Sequence, residues 1–154
     1  MPRLSQLMIR SALIWLALGS SVGGLVLFNK GVPILPWLWN LRAAHIHILL
    51  VGWTVQLACG VAFWILPRLD ASGSRGDERP VWLYYGTLNA GVMLGALYVP
   101  IAHSVGLAAG GLASTVAGGL YLTAALAFFV HTWPRVVPFR TLPRPGATAP
   151  DQGD

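Results

Sequence analysis

Charge is what this sequence has least of: 10 basic and 5 acidic residues in 154, one residue in ten. An ordinary soluble domain is about a quarter charged. With 18 glycines and 55% hydrophobic residues beside so little charge, a disordered chain, a heptad coiled coil and a nucleic-acid binder are excluded. The net charge of +5 and the pI of 10.2 therefore carry topology rather than a preference for nucleic acid. Cysteine is nearly absent too. Cys59 alone excludes a disulfide framework and a CxxC metal site. Acidic residues are missing from every long apolar run, which argues against a proton-coupled carrier built on membrane carboxylates and against carboxylate-pair catalysis. Chemistry within the membrane then falls to histidine, tyrosine or a bound cofactor.

What is present is length. A helix needs about 17–25 apolar residues to cross a hydrocarbon core, and four stretches qualify: Ser11–Phe28, Ala43–Leu66, Val81–Ala102 and about Gly106–Thr132. Prolines, charge or a short turn separate them: Lys30 to Pro36, Pro67 to Pro80, and His103 to Gly106. Arg3 and Arg10 before an apolar run suggest a signal peptide. The run extends to Phe28 without a convincing small-x-small cleavage site, so it reads as a retained span. The expected fold is an all-α polytopic membrane protein, a four-helix transmembrane bundle with both termini cytoplasmic.

The basic residues set that orientation. Arg3, Arg10, Arg68, Arg75, Arg79, Arg135, Arg140 and Arg144 fall on one side, and only Lys30 and Arg42 on the other. Trp37 and Trp39 at the outer boundary, with Trp64, Trp82 and Trp133 at the inner one, suit an aromatic belt. The division expected is a four-span transmembrane domain over 1–133 and a disordered, Pro-rich cytoplasmic tail over 134–154, set in a prokaryotic cytoplasmic membrane with the bilayer as first partner.

Small residues allow close approach of helices in lipid. Gly19-x-x-x-Gly23, Gly91-x-x-x-Gly95 and the series Gly111, Ser114 or Thr115, Gly118 are expected to pack inside a tight bundle. Gln56 and Asn89 lie at similar depth and are expected to hydrogen-bond each other, because an unpaired amide in hydrocarbon is costly.

Four histidines remain. His131 lies at the inner end, near Trp133, and reads as an interfacial side chain. His45, His47 and His103 lie at the outer end on two spans and form a candidate metal or haem site. Positions i and i+2 are about 200° apart on a helix, so His45 and His47 cannot easily grip one ion. His45 continues through Leu49, Gly52, Gln56 and Gly60, a stripe of small and polar residues that favours it as the inward-facing one. Interfacial histidines that only snorkel are the plainer alternative.

The segment Leu41-Arg42-Ala-Ala-His45-Ile-His47-Ile-Leu-Leu-Val-Gly52-Trp53, running on to Gly60 and Ile65-Leu66-Pro67, resembles one helix of a known family. It is similar to the second transmembrane helix of the catalytic subunit of the haem–copper oxidase superfamily, nitric-oxide reductases especially. There an arginine stands three residues before a histidine that is an axial ligand of the low-spin haem. The resemblance places that histidine on His45 and the following small polar position on His47. The family subunit has about twelve spans, and its late-helix haem ligand and copper histidines have no counterpart here. A complete oxygen- or NO-reducing centre is therefore not expected in this chain alone.

The resemblance implies a haem with His45 as axial ligand; by its position, His103, the other outer histidine on a different span, is the substitute partner for one haem b. Bis-histidine ligation would suit electron transfer, and gas or redox sensing is the neighbouring role. Arg42 and Lys30 would meet the anionic propionates. Tyr98 and Trp53 would flank the ring, and Pro100 would kink the third span to aim His103 inward. Two other readings stay open: a cofactor-free structural or assembly subunit of a respiratory complex, and a copper site using His45, His47 and His103 from two or more chains. The family subunit's three arcs of four helices imply, by analogy, a homotrimer.

Overall fold

A computed structural model describes residues 1–68 and 75–136. Those residues form an all-helical protein with four helices long and apolar enough to span a membrane: Arg3–Gly31, Pro36–Ile65, Arg79–Ser104 and Leu107–Arg135. No strand occurs among the described residues. Most span ends lie beyond the apolar runs, while the second span stops at Ile65, one short of Leu66, and the fourth begins at Leu107, one after Gly106. Backbone groups near a bilayer must be satisfied internally, so helices continue into their polar flanks.

The first span is α1, Arg3–Gly31. The second is composite. A 3-10 turn at Pro36–Asn40 leads into α2, Leu41–Ile46, then a π-helical stretch, His47–Val55, then α3, Gln56–Ile65. The third span is α4, Arg79–Ser104, which contains Pro100. The fourth is α5, Leu107–Thr132, closed by a 3-10 turn at Trp133–Arg135. Between α4 and α5 the chain reverses at Gly106, whose φ of 126° is the left-handed region that favours glycine.

Successive spans run antiparallel, so both described ends of the chain lie at one end of the bundle. At this termini end stand Arg3, Arg10, Arg68, Arg75, Arg79 and Arg135; Lys30 and Arg42 stand at the far end with His45, His47 and His103. Large apolar side chains are exposed on every span, among them Ile14, Leu50, Leu83 and Leu122. Such an outward face suits lipid rather than water as solvent.

Close packing of α1 on the second span follows from its glycines. A Cβ at Gly19 would strike Leu49, and one at Gly52 would strike Trp15. Ser5 Oγ donates to Gly60 O at 2.7 Å, and Gln56 Nε2 donates to Met8 O at 3.1 Å. Gly91 likewise receives the Tyr121 ring. A core of Leu4, Met8, Phe63, Val81, Tyr84, Leu88 and Ala124 draws on all four spans.

Three expectations are corrected. Gln56 and Asn89 do not bond each other: Gln56 reaches Met8, while Asn89 Oδ1 accepts from Trp15 Nε1 at 2.8 Å. Each amide makes one hydrogen bond to α1, which packs against both spans, while Gln56 Oε1 stays buried without a partner. On α5 the residues facing inward are Gly110, Ala113 and Ala117, whereas Gly111 and Gly118 have open space where a Cβ would stand. The series assigned to the bundle interior therefore points outward.

The third correction concerns the termini end. Residues 137–154 of the expected tail lie outside the described residues. Arg135, placed at its start, is instead 1% exposed. Its guanidinium donates to Phe63 O at 3.1 Å, Leu66 O at 2.9 Å and Pro67 O at 3.0 Å. These carbonyls close the second span, where a helix leaves orphan acceptors and partial negative charge. His131 is buried rather than interfacial, with Nδ1 2.9 Å from Asp77 O and Nε2 3.3 Å from Arg135 Nη1.

Candidate functional site at the far end of the bundle

The three histidines of the far end are positioned by three different neighbours. His45, on α2, faces α1. Its Nδ1 is 2.9 Å from Gly19 O, and a Cβ at Gly23 would fall on the imidazole ring. Gly19 and Gly23 are one turn apart, so together they form a cradle: one supplies a carbonyl, the other the space. The carbonyl accepts when Nδ1 carries the proton, which leaves Nε2 as the lone-pair nitrogen. No hydrogen bond engages that Nε2 among the described residues.

His47, two residues on, faces the opposite way. Its Nδ1 is 3.2 Å from Tyr121 Oη on α5, and the two rings stack with centroids 6.0 Å apart. Tyr98 meets it edge-on at 6.3 Å. Gly95 makes room for the pair, since a Cβ there would strike both Tyr121 Oη and the His47 ring. His103 is exposed near the end of α4, with Nε2 3.1 Å from Asn40 Nδ2. A cavity of about 240 Å³ beside it is lined by Trp37, Asn40, Leu41, Val99 and Pro100.

The stripe through Leu49, Gly52, Gln56 and Gly60 does lie against α1, and His45 lies with it. The wide separation of His45 and His47 also holds, although His47 opens a π-helical stretch. The structure does not bring His45 and His103 into contact. His45 sits at the α1 interface, while His103 is tied to the start of the second span, and the cavity at His103 has no His45 in its lining. Among the described residues, no group of three or more His, Cys, Asp or Glu is placed to hold a metal ion.

Arg42 and Lys30 are exposed at the same end. Tyr98 packs on His47 rather than His45. Trp53 packs with the Trp15, Ile48 and Val92 cluster. Three features escaped the sequence reading: Tyr121 as partner of His47, Asn40 as partner of His103, and the π-helical turns. Asn40 had a signal, a lone amide at a span boundary. Tyr121 had none, being one aromatic among many, and π-helix shares its apolar composition with α-helix.

Comparison with protein-family models, with curated proteins and with solved structures finds no match to this chain.

Proposed function

We propose that this integral membrane protein binds haem b through His45, and that it acts in gas or redox sensing or in electron transfer. One observation carries the reading. Gly19 O engages Nδ1 while Gly23 leaves the ring its space, and a hydrogen bond at one ring nitrogen is what orients a ligating histidine and leaves Nε2 its lone pair. A haem there would supply one-electron or gas-binding chemistry at the iron. The chain's own part is to hold the ring's tautomer, to exclude water with the apolar faces of α1 and α2, and to offer Arg42 and Lys30 to anionic groups at the surface. Orientation follows the arginines: both termini cytoplasmic, the histidines at the outer face of a prokaryotic cytoplasmic membrane.

His103 is engaged by Asn40 at a different interface, so His45 would be the one residue of this chain to hold the haem, which would remain able to bind a gas. That favours gas sensing over electron transfer. A reduced-minus-oxidised spectrum of the purified protein, with and without CO, tests this. A Soret band that shifts with CO and vanishes in His45→Ala is expected. Absence of both a Soret band and a pyridine haemochrome signal overturns it, and a band insensitive to CO restores bis-histidine ligation, with His103 from this or a second chain.

A cofactor-free structural or assembly subunit is favoured by a different observation: every histidine already links two parts of the chain, and Gly111 and Gly118 present a small outward face suited to a partner helix. A colourless protein that co-isolates with respiratory subunits in stoichiometric amount would establish it.

A further inference from the structure

At the termini end, a trough of about 620 Å³ lies between α4 and α5. Leu83 forms one wall, and Thr123, Leu126 and Val130 form the other. All four are exposed, so the trough is open to the bilayer. Thr123 Oγ1 donates to Gly119 O at 2.9 Å, which satisfies its hydroxyl within α5. Charge stands at one end only, where Asp77 and Arg79 line the trough beside the start of α4. A hollow of about 200 Å³ adjoins it there; the two share Asp77, Pro80 and Val130, and the hollow adds Arg75. His131 lines the hollow as well, with both ring nitrogens already engaged by Asp77 O and Arg135.

Charge and depth together choose the occupant. Arg79 is exposed, and Arg75 is close enough to Arg135 for the two cations to repel. An anion at this corner relieves that repulsion. Asp77 opposes it in part, but its Oδ1 accepts from the Arg79 N–H at 3.0 Å, at a helix N-terminus that offsets negative charge. Glu78 lines neither hollow. Among the described residues, the termini end carries six arginines against these two acids. The trough therefore has a basic rim and apolar walls. From Val130 to Thr123 it reaches about 10 Å along the helix, a third of a hydrocarbon core about 30 Å thick. A partner's spanning helix would need the full depth, and an uncharged lipid would leave the rim unused. A phospholipid of net negative charge matches both parts, because arginine pairs with phosphate and basic pockets between helices hold anionic headgroups.

We infer that the α4–α5 trough is a binding site for one anionic glycerophospholipid, its headgroup at Arg75 and Arg79 and an acyl chain along Leu83, Thr123 and Leu126. The inference is independent of haem at His45 and of which way the chain faces.

The full chain, delipidated in neutral detergent, is titrated with dioleoyl phosphatidylglycerol and separately with dioleoyl phosphatidylcholine, and bound lipid is counted by native mass spectrometry. One tightly held phosphatidylglycerol per chain is expected, with about twentyfold preference over phosphatidylcholine. Arg75→Gln and Arg79→Gln should each lower that preference about fivefold, the scale of one basic residue at a charged surface. Asp77→Asn keeps the acceptor for Arg79 N–H and removes the charge, so it should raise the preference. Thr123→Trp and Leu83→Trp fill the trough from opposite, exposed walls and should abolish the tight site. Arg10→Gln, at the same end on α1, and Leu112→Trp, on the outward face of α5, should bind as the parent does. Equal retention of the two lipids overturns the assignment. So does a preference that survives the Arg75→Gln/Arg79→Gln double variant, or tight binding that survives both filling variants. A dimer in lipid-free detergent that Thr123→Trp dissolves overturns it too, because a second copy then covers the trough.

Discussion

The indole Nε1 of Trp15 donates to Asn89 Oδ1 at 2.8 Å, joining the first and third spans at mid-depth. Asn89 Nδ2 donates in turn to Tyr85 O at 2.7 Å, which fixes the amide's orientation. Trp15 also packs against Gly52, so one indole of the first span touches both the second and the third. Interhelical hydrogen bonds in membranes average about 0.6 kcal/mol and reach about 1.7. A double-mutant cycle of Trp15→Phe and Asn89→Leu, read by unfolding in mixed micelles, should give a coupling in that range. A coupling near zero would remove this bond from the list of stabilising contacts.

Arg135 should behave as a structural residue. Arg135→Ala leaves three carbonyls at the end of the second span without their donor, and each unsatisfied buried group costs about 1–3 kcal/mol. A large fall in thermal stability in detergent is expected, with Arg135→Lys intermediate because one ammonium cannot reproduce the guanidinium fork. Unchanged stability in Arg135→Ala would return this residue to a tail with no structural role.

The glycines divide into two groups with opposite expected behaviour. Gly23→Val forces a side chain onto the His45 ring and should destabilise the α1 contact; if haem is bound, its Soret band should weaken with it. Gly118→Val meets open space and should leave the folded monomer within about 0.5 kcal/mol of the parent. Comparing the two by thermal unfolding and absorption checks the assignment directly.

Orientation can be read by labelling. With Cys59 replaced by alanine, a single cysteine at Val105 should react with an impermeant maleimide added to intact cells. One at Glu78 should react only after lysis. The reverse pattern would contradict the arrangement drawn from the arginines.

The four spans were legible because apolar length is a one-dimensional property, read without knowing any contact. The glycine cradle was half legible: Gly19 and Gly23 were expected to pack closely, but their partner could not be named. Pairings between spans were not legible. Gln56 and Asn89 were read at similar depth, yet depth leaves the rotation of each helix undetermined, and each bonds α1 instead. Gly111 and Gly118 failed for the same reason, since α5 carries small residues all round and only contact with α4 selects Gly110, Ala113 and Ala117. Arg135 was misread because a charge at a span's end resembles a tail, and its three acceptors lie about 70 residues earlier in the chain.

The reversal at Gly106 bears on how the protein is made. From His103 to Leu107 the chain has no lysine or arginine, and so no topogenic signal of its own. The nearest cations are Arg79 at the start of α4 and Arg135 beyond the end of α5, both at the same end of the bundle. α4 and α5 thus amount to a single hairpin, with no basic residue at its closed end and Arg79 and Arg135 at its two open ends.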